Sequence, residues 1–263
     1  MPGLELPIIY RGSARHCGAA VTKMRSHTIL MLSANPLRES RLALDREARG
    51  IQLEIDRSTH RDRLKLVIWW AAEALDLLGS LRRLEPTIVH FSGHGLRGAA
   101  NDDQPGSLCA RDVLSEPVAC QSKGVCFARA DGGVEVISPA ALIHTFHAAG
   151  SSVRLVVLNA CYTEAHAHAL RGYVDCVIGT RGSIQDEAAI NFSIGLYGGL
   201  GEGESIARAW AQGRAALSLK GHPDRDCPVL TVRDGIDPDQ LVLAPARPRR
   251  PRRRHPARRP RRG

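Results

Sequence analysis

Thr87-Ile-Val-His-Phe91 runs straight into Ser92-Gly-His-Gly95, and Val153-Arg-Leu-Val-Val-Leu158 runs into Asn159-Ala-Cys161. Each is a short apolar run stopped by a turn, the pattern of a buried strand. Each also delivers a reactive side chain at its carboxyl end: the imidazole of His94 and the thiol of Cys161. Upstream, Thr28-Ile-Leu-Met-Leu-Ser33 is a strand closed by Ala34-Asn-Pro36. Leu42, Leu44, Ala48, Ile51, Leu53 and Ile55 recur at helical spacing, followed by a strand at Leu64–Trp69 and a helix at Ala71–Leu84. Downstream of a long irregular stretch, 96–126, Val125–Arg129 and Val134–Ile137 flank Asp131-Gly-Gly133 as a hairpin. Ser138-Pro139 opens a helix, with Ser as N-cap and Pro in the first turn. A helix follows Cys161 to Leu170, Val174–Ile178 is a strand, and helices cover about 187–201 and 204–219. Val229–Val232 and Leu241–Val242 read as short closing strands.

Strands alternating with helices make βαβ units, hence an α/β fold with a mostly parallel sheet and helices on both faces. Sites in such sheets lie beyond the carboxyl ends of the strands. If the strands ending at His94 and Cys161 are parallel neighbours, imidazole and thiol share one sheet edge. A thiol becomes a nucleophile as thiolate, which a neighbouring base can generate. The strand-to-helix turn at Cys161 favours an anion, and the N–H groups of Gly95 and Cys161 are candidate donors to a tetrahedral oxyanion.

The 263 residues, 43% hydrophobic and 24% charged, have the balance of a globular chain. No apolar run approaches ~18 residues, so no membrane span is expected. Nor does the start read as a signal peptide, and a cytoplasmic location follows as the expectation. The net charge of +9 is local. Ten of the 36 Lys and Arg are arginines within Arg247–Gly263, leaving 26 bases against 27 acids and a body at −1. This places a loose lead-in at 1–26, one domain at 27–243 and an Arg/Pro-rich, disordered tail at 244–263. A folded nucleic-acid-binding face is not expected, although the tail is a candidate polyanion arm. Seven cysteines without a C-x-x-C exclude a zinc ribbon and read as reduced thiols.

Ile88-Val-His-Phe-Ser-Gly-His-Gly95 and Leu155-Val-Val-Leu-Asn-Ala-Cys-Tyr162 resemble the two catalytic blocks of caspase-like cysteine peptidases. The resemblance is closest to the CHAT peptidases, bacterial relatives of caspases and separases. Ile29–Pro36, Arg41–Asp45, Val174–Gly179 and Asp186–Ala189 resemble that branch as well, so the likeness runs over about residues 28–232. It implies a caspase-like three-layer sandwich and peptide-bond hydrolysis through a thiol acyl-enzyme. Cys161 would then be the nucleophile and His94 the base, with Gly95 and Cys161 as oxyanion donors. It also implies a protein substrate, control by a sensor or regulator in trans, a place in bacterial signalling or defence, and no cofactor. The alternative is a non-catalytic interaction module with a polyanion-binding tail, which would have no need of both His94 and Cys161.

Asn159 reads either as a cap of the strand–helix turn or as a substrate-binding or supporting residue beside the nucleophile. Asp186, with Glu187, reads as a helix-start acid or as the wall of a pocket for a basic substrate side chain. His166 and His168, two apart on a helix, cannot share a metal ion and are expected to face solvent. His144 and His147 have helical i,i+3 spacing but no third ligand. His90 is expected to be a satisfied core residue, and Trp69-Trp70 to pack at core and edge.

Overall fold

The computed structural model describes residues 26–36, 41–97 and 124–244. The expected lead-in and tail and most of the expected long loop lie outside the described residues.

The order of elements is β1 (His27–Ala34), α1 (Leu44–Arg57), β2 (Leu64–Trp70), α2 (Ala74–Leu84), β3 (Ile88–Gly93) and β4 (Gly95–Leu96). After residue 123 come β5 (Gly124–Ala128), β6 (Val134–Ile137), α3 (Pro139–Ala149), β7 (Leu155–Asn159) and α4 (Glu164–Leu170). The chain continues through β8 (Cys176–Thr180), α5 (Asp186–Gly201), α6 (Ile206–Leu219) and β9 (Pro228–Val232). Six strands form one sheet in the order β2-β1-β3-β7-β8-β9, parallel except for β9. The fold is α/β, a mostly parallel sheet between two helical layers.

Strand alternation divides the interior in two. Ile29, Met31, Ile88, Leu155 and Val157 point to one face, where Ile51 and Ile55 of α1, Phe192 and Leu196 of α5 and Leu217 of α6 cover them. Leu30, Leu32, Val89, Phe91, Val156 and Leu158 point to the other, under Leu77 and Leu81 of α2, Leu142 and Phe146 of α3 and Leu170 of α4. With both faces covered, the central strands carry apolar residues pointing both ways, as in Ile29–Leu32 and Leu155–Leu158.

The hairpin expected around Asp131-Gly-Gly133 forms, with Ala128 opposite Val134. It belongs to a small second sheet, because Gly95 and Leu96 pair antiparallel with Val125 and Gly124. Ser138 caps α3 as expected, its hydroxyl accepting the Ala141 N–H at 3.3 Å. Helix α2 starts later than its apolar pattern, at the capping box of Glu73 and Asp76. The expected strand at Leu241–Val242 is only a single bridge from Val242 to Ser205. Trp69 packs against the α2-side core and Trp70 is exposed at the sheet edge, as expected.

His166 is a correction. It is 1% exposed, whereas His168 on the opposite side of α4 is exposed. The short helix packs down through His166, Ala167 and Leu170, a geometry fixed by its neighbours rather than by its own composition. Neither ring nitrogen of His166 meets a hydrogen-bond partner among the described residues. Burial pulls its pKa down to about 4, a neighbouring backbone group of Ile137 offsetting part of that.

Among the described residues no helix is long and apolar enough to cross a membrane. No group of three or more His, Cys, Asp or Glu among them is placed to hold a metal ion.

Candidate active site

β3 and β7 are parallel neighbours at the centre of the sheet, with Ser92 opposite Asn159. Two further residues along each strand are His94 and Cys161, so the register carries both to one sheet edge. The contact beyond them is tight. A Cβ built on Gly95 would lie 1.9 Å from the carbonyl oxygen of Cys161, so only glycine allows this approach. Gly93 has a similar need, since a Cβ there would fall 2.7 Å from the Ala34 carbonyl oxygen. On the far side the His94 carbonyl accepts the Cys126 N–H at 2.9 Å, which ties the turn to β5.

Cys161 is half-buried, and its Sγ accepts the Ile184 N–H at 3.4 Å. The Ser183 hydroxyl and the Ile184 carbonyl lie 3.7 Å from the same sulfur. The turn that presents it is held on several sides. Tyr162 adopts a left-handed φ of 59° and donates its N–H to the Gly182 carbonyl at 2.8 Å. Such a backbone costs a non-glycine residue on the order of 1 kcal/mol and persists only where its surroundings enforce it. Thr163, wholly buried, donates to the carbonyl oxygens of Leu158 and Ala160 and accepts the Thr180 N–H at 2.9 Å. The loop after β8 therefore braces the thiol on one side, while Gly95 packs against the Cys161 backbone.

The CHAT domain model matches residues 38–258. The chain belongs to the CHAT domain family. A Roc-COR-CHAT protease from an unknown prokaryotic organism is 23% identical over 202 residues. That match covers 74% of this chain and 17% of the relative's length, so the CHAT chain spans a small part of that protein. A secreted C11 cysteine protease from Bacteroides thetaiotaomicron, solved with an irreversible peptide inhibitor, superposes with a TM-score of 0.50 at 15% identity. The superposition covers 75% of the CHAT chain and 60% of the other, and it shows the caspase-like fold.

Asn159 and Asp186 each bond a neighbouring element of the CHAT domain. Asn159, read as a strand–helix cap or as a substrate-binding or supporting residue, turns its side chain inward. Its Nδ2 lies 2.6 Å from Glu47 Oε1, 3.2 Å from Ser193 Oγ and 3.2 Å from the Ala189 carbonyl oxygen, and the residue is 6% exposed. Its place on the strand makes this inevitable, since position 159 alternates onto the same face as Leu155 and Val157. Asp186, partly exposed, opens α5 and accepts the Ala43 N–H at 3.0 Å, tying the start of α5 to that of α1. His90 is a satisfied core residue, bonded to Glu47 through Nε2 at 3.0 Å and to the Tyr197 hydroxyl through Nδ1 at 3.1 Å.

Two residues close to the site escaped the sequence reading. Glu47 of α1, 2% exposed, is bonded to His90, Ser92, Asn159 and Ser193. Burial alone would raise its pKa, but the His90 imidazole and the bonds from His90, Ser92 and Ser193 outweigh burial and hold it below the usual range. The signal was present: Glu47 stands in the buried stripe Leu44, Glu47, Ala48, Ile51, Ile55. Cys227 precedes β9, and its Sγ lies 3.6 Å from the Ser183 carbonyl, so Ser183 touches both Cys161 and Cys227. Burial, then Asp224 and Asp226, raise the Cys227 thiol. Nothing in its local sequence points to Cys161, because an antiparallel strand returns it there.

Proposed function

We propose that this CHAT domain is a cysteine endopeptidase working through Cys161 and His94. The supporting observation is the β3–β7 register, which carries both residues past the same carboxyl edge, with Gly95 packed on the Cys161 backbone. His94 takes the thiol proton, and the sulfur attacks the scissile carbonyl carbon. The Gly95 and Cys161 N–H groups receive the developing oxyanion. The imidazolium then protonates the leaving amine, and a water deprotonated by His94 releases the acyl group from sulfur. No step calls for a metal or organic cofactor. The similarity to the prokaryotic Roc-COR-CHAT protease and to the C11 cysteine protease agrees with this reading. We place its action on a protein substrate in bacterial signalling or defence under a regulator in trans. Incubation with a diverse peptide library, with and without Cys161→Ala, tests the proposal: products should appear only with the intact thiol.

A further inference from the structure

We propose that Glu47 is the positioning residue of the His94–Cys161 pair, clamping the ends of β3 and β7 together. This rests on the peptidase reading above. Ser92 and Asn159 face each other across the two strands, and each stands two residues before a member of the pair. Both reach the same carboxylate: the Ser92 hydroxyl donates to Oε2, and Asn159 Nδ2 donates to Oε1 at 2.6 Å. The other paired positions on these strands are Ile88–Leu155, Val89–Val156, His90–Val157 and Phe91–Leu158, so only this last pair is polar on both strands. Ser193 of α5 at 2.7 Å and His90 of β3 at 3.0 Å fill further acceptor sites of the carboxylate, so α5 joins α1, which carries Glu47, in holding the clamp.

Burying a carboxylate is costly in desolvation, and an apolar residue on α1 would fill the core at least as well. What four converging donors add is a fixed geometry. A shift of about 1 Å between nucleophile and base is enough to lower turnover by about 10²-fold. The clamp acts one step behind the chemistry, on the strands that carry the reacting atoms.

The test uses the full chain with Glu47→Ala and Glu47→Gln. Glutamine keeps the shape: its carbonyl oxygen accepts the three Oε1 bonds, and its amide donates to the Ser92 hydroxyl. Glu47→Ala is expected to lower kcat by at least about tenfold with KM within about threefold, while Glu47→Gln retains at least about a third of kcat. Circular dichroism restricts the assay to temperatures where each variant is folded. Should Glu47→Ala fail to fold, Ser92→Ala and Asn159→Ala each remove the bond nearest one member of the pair and carry the same expectation. Unchanged kcat, or a loss matching only the unfolded fraction, overturns the proposal. If the wild-type chain cleaves no peptide, the peptidase reading fails and amide exchange decides about Glu47. Faster exchange confined to residues 92–94 and 159–161 in Glu47→Ala supports the clamp, and unchanged protection there overturns it.

Discussion

The carbonyl oxygen of Cys161 occupies the space that any side chain on Gly95 would need. The imidazole-bearing turn and the thiol-bearing turn are thus in backbone contact, and one methyl group should part them. Gly95→Ala is expected to cost about 2–4 kcal/mol and lower Tm by about 5–10 °C. Peptidase activity should fall by at least about 10²-fold. Thermal melts and peptide turnover check both; an unperturbed variant would mean the two turns are not packed as described.

The proposed dyad has its own signature. Cys161→Ala should abolish turnover, and His94→Ala should lower it by about 10²-fold or more. Both variants should melt within about 3 °C of the parent, because each changes a side chain at the sheet rim without opening the core. A fully active Cys161→Ala protein would overturn the assignment.

His166 makes stability depend on pH. Its folded pKa is about 4 against 6.5 for a free imidazole, so the unfolded chain takes up the proton first. Stability is therefore complete above about pH 6.5 and lost as the pH falls towards 4, with about 2 kcal/mol gone at pH 5. Urea titrations at pH 7.5 and 5 measure this. His166→Leu should remove most of the difference, and a difference that persists would locate the titrating group elsewhere.

Asp186, bonded to the Ala43 N–H, is also the candidate wall of a pocket for a basic residue before the cut, and in that role it has a distinct signature. Asp186→Ala should lower kcat/KM for Arg and Lys substrates more than for apolar ones. It should also cost about 1 kcal/mol through the lost bond to the Ala43 N–H. A library profile favouring apolar or acidic residues would remove Asp186 from specificity and leave it only the tie between helices.

The arginines within Arg247–Gly263 are the candidate polyanion arm. Truncation after Ala246 should abolish DNA binding while leaving cleavage of short peptides intact. If about five phosphates are neutralised, log K should fall against log salt with a slope of about −4.5. Equal affinity before and after truncation would place the basic surface in the body.

Buried parallel strands were legible because β1 and β7 carry unbroken apolar runs, Ile29–Leu32 and Leu155–Leu158, and short apolar runs ending at glycine or asparagine report such strands directly. His94 and Cys161 followed from topology, since carboxyl ends gather at one edge. Glu47 was less legible because α1 carries several acids, and only the tertiary fold shows which one meets four donors. His166 reads as polar and exposed on α4 taken alone, and its burial comes from packing that the local sequence does not encode. Cys227 reaches Ser183 through strand reversal at β9, a long-range event with no local mark.

His94 and Cys161 come from opposite sides of the stretch between Leu96 and Gly124, yet β3 pairs with β7, β4 with β5, and α1 packs on α5. A cut anywhere from Gly98 to Lys123 would give two polypeptides, one bearing the imidazole and the other the thiol, with all these contacts intact. On the peptidase proposal, the domain divides naturally into two complementary halves. Two co-expressed halves, neither holding a whole dyad, should assemble through the central ladder and recover the activity that each lacks.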